Sequence, residues 1–397
     1  MTKARYFKLI LILGSLTALG PFSIDMYLPG FAGIAKDLNT TVANVAMTLS
    51  SYFIGISAGQ LLYGPLLDRY GRKKPLFIGL LVYVFASLGC VFVKDIDTFI
   101  GLRFIQAVGS CAATVASVSM VRDLFPVRDI PKVFSLLMLV VGLSPMLAPT
   151  VGGYVTHAYG WHMVFLILMF LGIIILCAAQ FGLPNSYIPD PSISLKPKPI
   201  LLNFAIVLKE PQFYTYAFTG AIAFSGLFTY VAASPILFMD IFKVDAKTYG
   251  WIFAFMSLSF ILASQLNSVL LKWFSSEKMI YGALVTQSVI VLTFLICSIN
   301  DLLGLYETIV MLFLFLACLG ISNPNTAGLT LAPFTRNAGS ASALMGAIQL
   351  GLGAFASFAV GLFVKNSMVP MVVIMTISTI TALAVLVIGK RTIKIKH

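Results

Sequence analysis

Gly64-Pro65-Leu66-Leu67-Asp68-Arg69-Tyr70-Gly71-Arg72-Lys73-Lys74 sets five charged side chains among eleven positions, between two long apolar runs that carry almost none. The contrast reads as a short cationic loop joining two membrane helices. A Lys/Arg cluster beside an apolar segment orients helices in a bilayer, and topology anchoring is the simplest reading of this one. Anchoring does not require Gly64, Asp68 and Gly71 at fixed places. Gly71 permits a tight turn and Gly64 a close approach of helices. Asp68, at the inner end of the second helix, is placed to accept N–H groups from the start of a neighbouring helix, where partial positive charge collects.

The rest of the chain supports that setting. Hydrophobic residues make up 59% of 397 and charged residues 10%, with a mean hydropathy of +0.98. No soluble domain of this length hides so much apolar surface, so the chain reads as an integral membrane protein. Apolar runs of about 20 residues favour helices over the roughly 10-residue alternating strands of an outer-membrane barrel. Charged, Pro and Gly breaks predict twelve helices near 7–30, 43–67, 76–94, 98–123, 132–155, 162–182, 213–238, 247–271, 279–299, 305–330, 340–364 and 369–389. The fold class is an all-α membrane protein.

A connection bearing Pro184, Pro189, Pro191, Pro197, Pro199 and Pro211 separates six helices from six. It predicts an N-terminal bundle over 1–182, an extended cytoplasmic linker over 183–212 and a C-terminal bundle over 213–397. A short amphipathic piece from Ile200 to Leu208 is expected on the membrane surface. Ala58-Gly59-Gln60-Leu61 has a faint echo in Ala263-Ser264-Gln265-Leu266 at the same stage of the second half, as parallel repeats would give.

The net charge of +12 is unevenly placed, for about 20 of the 26 Lys and Arg fall on one side of these spans. That places both termini in the cytoplasm and the excess charge against inner-leaflet headgroups, without calling for nucleic acid. The basic start, Lys3 to Gly20, has the look of a signal peptide, but the apolar run continues to Tyr27 without a small-residue cleavage site and reads as an uncleaved first helix. Cys90, Cys111, Cys177, Cys297 and Cys318 all sit in apolar segments and read as small core residues. His157, His162 and His397 show no metal or nucleophile–base spacing, and no G-x-x-x-x-G-K-[ST] phosphate loop occurs. No enzyme, metal or cofactor is therefore expected.

The opening stretch, G-x-x-x-D-R-x-G-R-K-K, resembles the loop signature of the major facilitator superfamily at every position. The resemblance implies two pseudo-symmetric six-helix halves, with Gly64, Asp68, Arg69, Gly71, Arg72 and Lys73 as a conformational switch. It further implies that Asp68 meets the eleventh helix, while Arg72 joins a carboxylate on the fourth helix, a place that Asp123 fits. Arg103-Phe104-Ile105-Gln106-Ala107 resembles the R-x-x-Q-G element, departing at Ala107. Gly142, Pro145, Pro149, Gly152 and Gly153 resemble the G-P-x-x-G-G element of drug/proton antiporters, with Ala148 in a glycine position. Close packing through small residues is the alternative reading there, to which the prolines add a bend. With Asp25-Met26-Tyr27-Leu28-Pro29, Arg122-Asp123-Leu124-Phe125 and Ala338 to Leu344, the pattern is similar to the Bcr/CflA group of drug-resistance transporters.

Asp25 lies about five residues, or roughly 8 Å, inside the outer end of the first helix, and Arg103 lies about as deep in the fourth. The family fold would make them neighbours. Asp25 then reads as a proton carrier tuned by Arg103, or else as a cap of the helix end near water. A lightly polar, aromatic cavity is expected from Tyr27, Tyr52, Phe53 and Gln106 in the first half and Phe224, Phe228, Tyr230, Asn323, Asn325 and Gln349 in the second. The reading is a monomeric, proton-coupled efflux transporter of small amphipathic or drug-like compounds in a bacterial inner membrane. The alternatives are an exporter of a narrower metabolite or amino acid, and a membrane sensor or scaffold.

Overall fold

The computed structural model describes residues 3–126, 129–184, 189, 197–334, 338–363 and 367–396. The elements are α1 Lys3–Asp25, α2 Phe31–Asp37, α3 Val42–Tyr70, α4 Lys73–Val91, α5 Ile96–Leu124, α6 Ile130–Tyr159, α7 Trp161–Gly182, α8 Pro197–Leu208, α9 Pro211–Pro235, α10 Ala246–Leu270, α11 Ser276–Ile299, α12 Leu305–Leu331, α13 Ala338–Phe363 and α14 Val369–Lys396. Among the described residues there is no strand. Twelve helical spans are long and apolar enough to cross a membrane, with Arg5–Asp37 counting as one. The expected all-α class and number of spans both hold.

The departures cluster at prolines. The first span was expected to run unbroken to residue 30, but α1 stops at Asp25 and a single 3-10 turn, Leu28–Gly30, leads into α2. Pro29 lacks an N–H and pushes the residue before it out of helical backbone. Beyond Pro235, α9 passes into a π-helical turn over Ile236–Ile241. The amphipathic piece is helical as α8, whereas linker residues 185–188 and 190–196 lie outside the described residues.

Two compact units are present: residues 1–41, 51–196 and 246–250 in one, and 42–50, 197–245 and 251–397 in the other. In the first, α4 packs on α5 and α7, and α1 on α5, α6 and α7. Small residues allow α4 and α5 to meet at backbone distance, since a Cβ added to Gly109 would lie 2.6 Å from the Tyr83 nitrogen. Gly64 does not act in this way. A Cβ there meets none of the described residues within 4 Å; close approach of α3 to α5 falls one turn earlier, where Gly59 faces Cys111. Gly71, with φ at +81°, makes the turn expected between α3 and α4. In the second unit α9 packs against α12, α13 and α14, and α11 against α12 and α14.

Candidate functional site

The charged loop assembles around Arg72, which is 9% exposed. Its Nε donates to Asp123 Oδ2 at 2.8 Å, and its Nη1 meets Asp68 Oδ1. One guanidinium thus ties the end of α3 to the end of α5 across the Gly71 turn. Burial opposes the Arg72 charge, but hydrogen bonds and the negative charges of Asp123 and Asp68 outweigh it and raise its pKa. Lys73 Nζ donates to the Gln180 carbonyl at 2.9 Å, placing a cation at the C-terminus of α7. Arg69 lies 5.8 Å from the ring centroid of its neighbour Tyr70.

Arg103 is completely buried. Its Nη2 donates to the Ser23 carbonyl at 2.9 Å and its Nη1 to Gln106 Oε1 at 2.5 Å. Gln106 Nε2 passes the chain on to Ser87 Oγ at 2.8 Å, and Ser87 donates to the Tyr83 carbonyl at 2.7 Å. Tyr83 and Ser23 hydroxyls are 2.8 Å apart, which closes the network back onto α1. The guanidinium carbon lies 4.3 Å from the Tyr27 ring centroid and 4.2 Å from that of Tyr52. Tyr52 is held in turn by Ser110, hydroxyl to hydroxyl, at 2.8 Å.

The expected contact between Asp25 and Arg103 is not made. Asp25 is 4% exposed and forms no ion pair among the described residues. The reason lies in the end of α1. A helix leaves its last carbonyls without intrahelical donors and gathers negative potential there. Termination at Asp25 therefore offers the guanidinium a backbone oxygen, at Ser23, in place of a carboxylate. The backbone just after Asp25 is met closely by another predicted motif: a Cβ on Gly152 of α6 would overlap the Met26 carbonyl oxygen. Among Gly142, Pro145, Pro149, Gly152 and Gly153, all within α6, Gly152 thus supports the close-packing reading.

The residues expected to line a cavity divide between the two units. Tyr27, Tyr52, Phe53 and Gln106 are fully buried, and all but Phe53 take part in holding Arg103. A buried guanidinium needs rings and acceptors on its faces and edges, and these are the groups that supply them. In the second unit Phe224 and Phe228 meet edge to face at 5.4 Å, while Tyr230 stacks on Phe253 at 5.5 Å. Asn325 Nδ2 donates to Asn267 Oδ1 at 2.6 Å. Asn323 Oδ1 accepts from Gln349 Nε2 at 3.2 Å, and both line a recess of about 10 Å³ with Tyr216, Thr326 and Thr330. Asn323 and Asn325 sit two apart on α12 and so serve different faces.

Sequence reasoning passed over Ser23, Tyr83, Ser87, Ser110 and Asn267. Tyr83 and Ser87 did leave a signal: polar side chains four apart on one helical face inside an apolar span. The Ser23 carbonyl left none, because every residue has one.

Residues 13–358 match the Major Facilitator Superfamily. A bicyclomycin resistance protein homolog of Haemophilus influenzae is 31% identical over 365 residues, 92% of each chain. A chloramphenicol resistance protein of Pseudomonas aeruginosa is 28% identical, over 94% of this chain and 88% of its own. The multidrug resistance protein MdtL of Klebsiella pneumoniae is 27% identical, over 94% and 93%. Among solved structures, a D-xylose–proton symporter superposes with a TM-score of 0.76 at 14% identity, covering 96% of this chain and 97% of that one.

Proposed function

The chain belongs to the Major Facilitator Superfamily, and from that premise we propose that it exports small amphipathic or drug-like compounds in exchange for protons, by alternating access. It works as a monomer in the bacterial inner membrane with both termini in the cytoplasm. The observation that carries drug export is the likeness to named resistance proteins along almost the whole chain, 92% of it for the Haemophilus influenzae homolog. For proton coupling, support comes from Asp25, a buried carboxylate without an ion pair. A single carboxylate can take up a proton without a cage of further ligands, and a cationic substrate or a rearranged Arg103 favours its release.

In this reading Arg103 tunes Asp25 through the end of α1, whose Ser23 carbonyl it holds in one state of the cycle. The Asp68–Arg72–Asp123 group acts as the switch, with Asp68 engaging the start of α13 in one state only. Expression in an efflux-deficient bacterium over a panel of compounds tests the export. Lower accumulation of at least one drug-like compound, lost on collapse of the pH gradient, is the expected result; unchanged accumulation of all of them would overturn it. Cysteine accessibility at each terminus tests the orientation.

A further inference from the structure

The seam between α4 and α7, at its Lys73 end, holds a groove that neither the Arg72 pairs nor the Arg103 network occupies. It encloses about 450 Å³ and is lined by Lys73, Lys74, Phe77, Ile78 and Gln180. Half-buried Leu176 continues the same seam as a shallow apolar trough, floored by Leu76 and Leu80, which are buried. Ile78 is 61% exposed, so this flank faces the hydrocarbon when the spans sit in a bilayer. At the mouth the chemistry reverses. Lys74 is exposed, and Lys73 spends one donor on Gln180 while its ammonium has two more. Among the described residues no carboxylate pairs with either lysine. Two cations above an apolar trough, at a membrane boundary, complement an anionic headgroup carrying acyl chains.

We propose that this groove is a discrete site for one anionic phospholipid, its phosphate held between Lys73 and Lys74 and its chains laid along Phe77, Ile78 and Leu176. That the lipid belongs to the inner leaflet rests on the orientation proposed above. A zwitterionic lipid fits less well, because its own ammonium would be brought against the two lysines. Lys73 also fixes the start of α4 to the end of α7, so occupancy bears on the segment next to Arg72.

The test places a reporter in the trough. The Phe77→Trp protein, reconstituted in nanodiscs, is titrated with bromine-labelled phosphatidylglycerol or bromine-labelled phosphatidylcholine, and quenching is corrected for the unsubstituted protein. Phosphatidylglycerol should reach half-quenching at a mole fraction lower by about fivefold or more, and Lys73→Gln/Lys74→Gln in the same background should bring the two lipids level. Equal quenching before that substitution, or a preference that survives it, overturns the proposal. Displacement by millimolar inorganic phosphate overturns the phospholipid in favour of the free ion. Native mass spectrometry of the protein with Phe77 intact supplies a second measurement: one retained anionic phospholipid, lost in Lys73→Gln/Lys74→Gln, is expected, and none retained counts against the site. Nanodiscs expose both faces, so these results do not depend on orientation, which labelling of Lys74→Cys from either side of sealed vesicles decides separately.

Discussion

Within residues 51–196 and the end of α1, the buried polar groups converge on a guanidinium, Arg103, held by a backbone carbonyl, an amide and two tyrosine rings. Within residues 251–397 the buried polar contacts at corresponding helices are neutral amide pairs, Asn325 with Asn267 and Asn323 with Gln349. Amides do not titrate, whereas the first unit also buries a carboxylate, Asp25. The proposed proton coupling therefore rests on titratable groups of the first unit.

The largest effect is expected at Asp25. Asp25→Asn should abolish export driven by an imposed pH gradient in inverted vesicles while leaving ligand binding measurable in purified protein. Normal uphill export by this variant would move the proton elsewhere, with Glu307 at the start of α12 the next carboxylate to test. Arg103→Ala comes second. It strands the Ser23 carbonyl and Gln106 and opens a void between two rings, a loss of about 3–5 kcal/mol in the range for broken buried charge networks. A large fall in thermal stability would register it. Arg103→Lys keeps the charge but not the fork, and should recover part of the stability and little of the transport.

Next in size, Asp68→Asn and Asp123→Asn should alter the balance between transport states by about 1–3 kcal/mol, roughly 5–150-fold. Export should slow far more than expression falls. Double-mutant cycles with Arg72 measure the two pairings, and additivity in both would reduce the loop to a topology anchor. The smallest effect is expected in the second unit. Asn267→Ala and Asn325→Ala should each cost about 1 kcal/mol, with a coupling of similar size. Neither should change how export depends on pH. A displaced pH profile in either variant would erase the contrast between the units.

Much of the loop was legible in the sequence because its parts lie close along the chain or carry opposite charges. Gly71 had to turn, and Arg72 follows Asp68 by four residues, on the far side of that turn. Asp123 was found through family likeness, and the geometry places it on Arg72 Nε. Gly64 was misjudged, since a missing side chain says that something is allowed without saying what comes near. Tyr27 and Tyr52 were read as aromatic lining of a cavity, and the cation they face is the protein's own Arg103.

Composition and periodicity by themselves determined the membrane setting and the twelve spans, because hydrocarbon burial and backbone hydrogen bonding act locally and leave their mark residue by residue. Only the tertiary structure decided what balances Arg103. The sequence offered Asp25 as its counter-ion, and the fold supplied the end of α1 instead. Backbone carbonyls are the same at every position, so their use as ligands follows from where a helix stops and what is packed beside it.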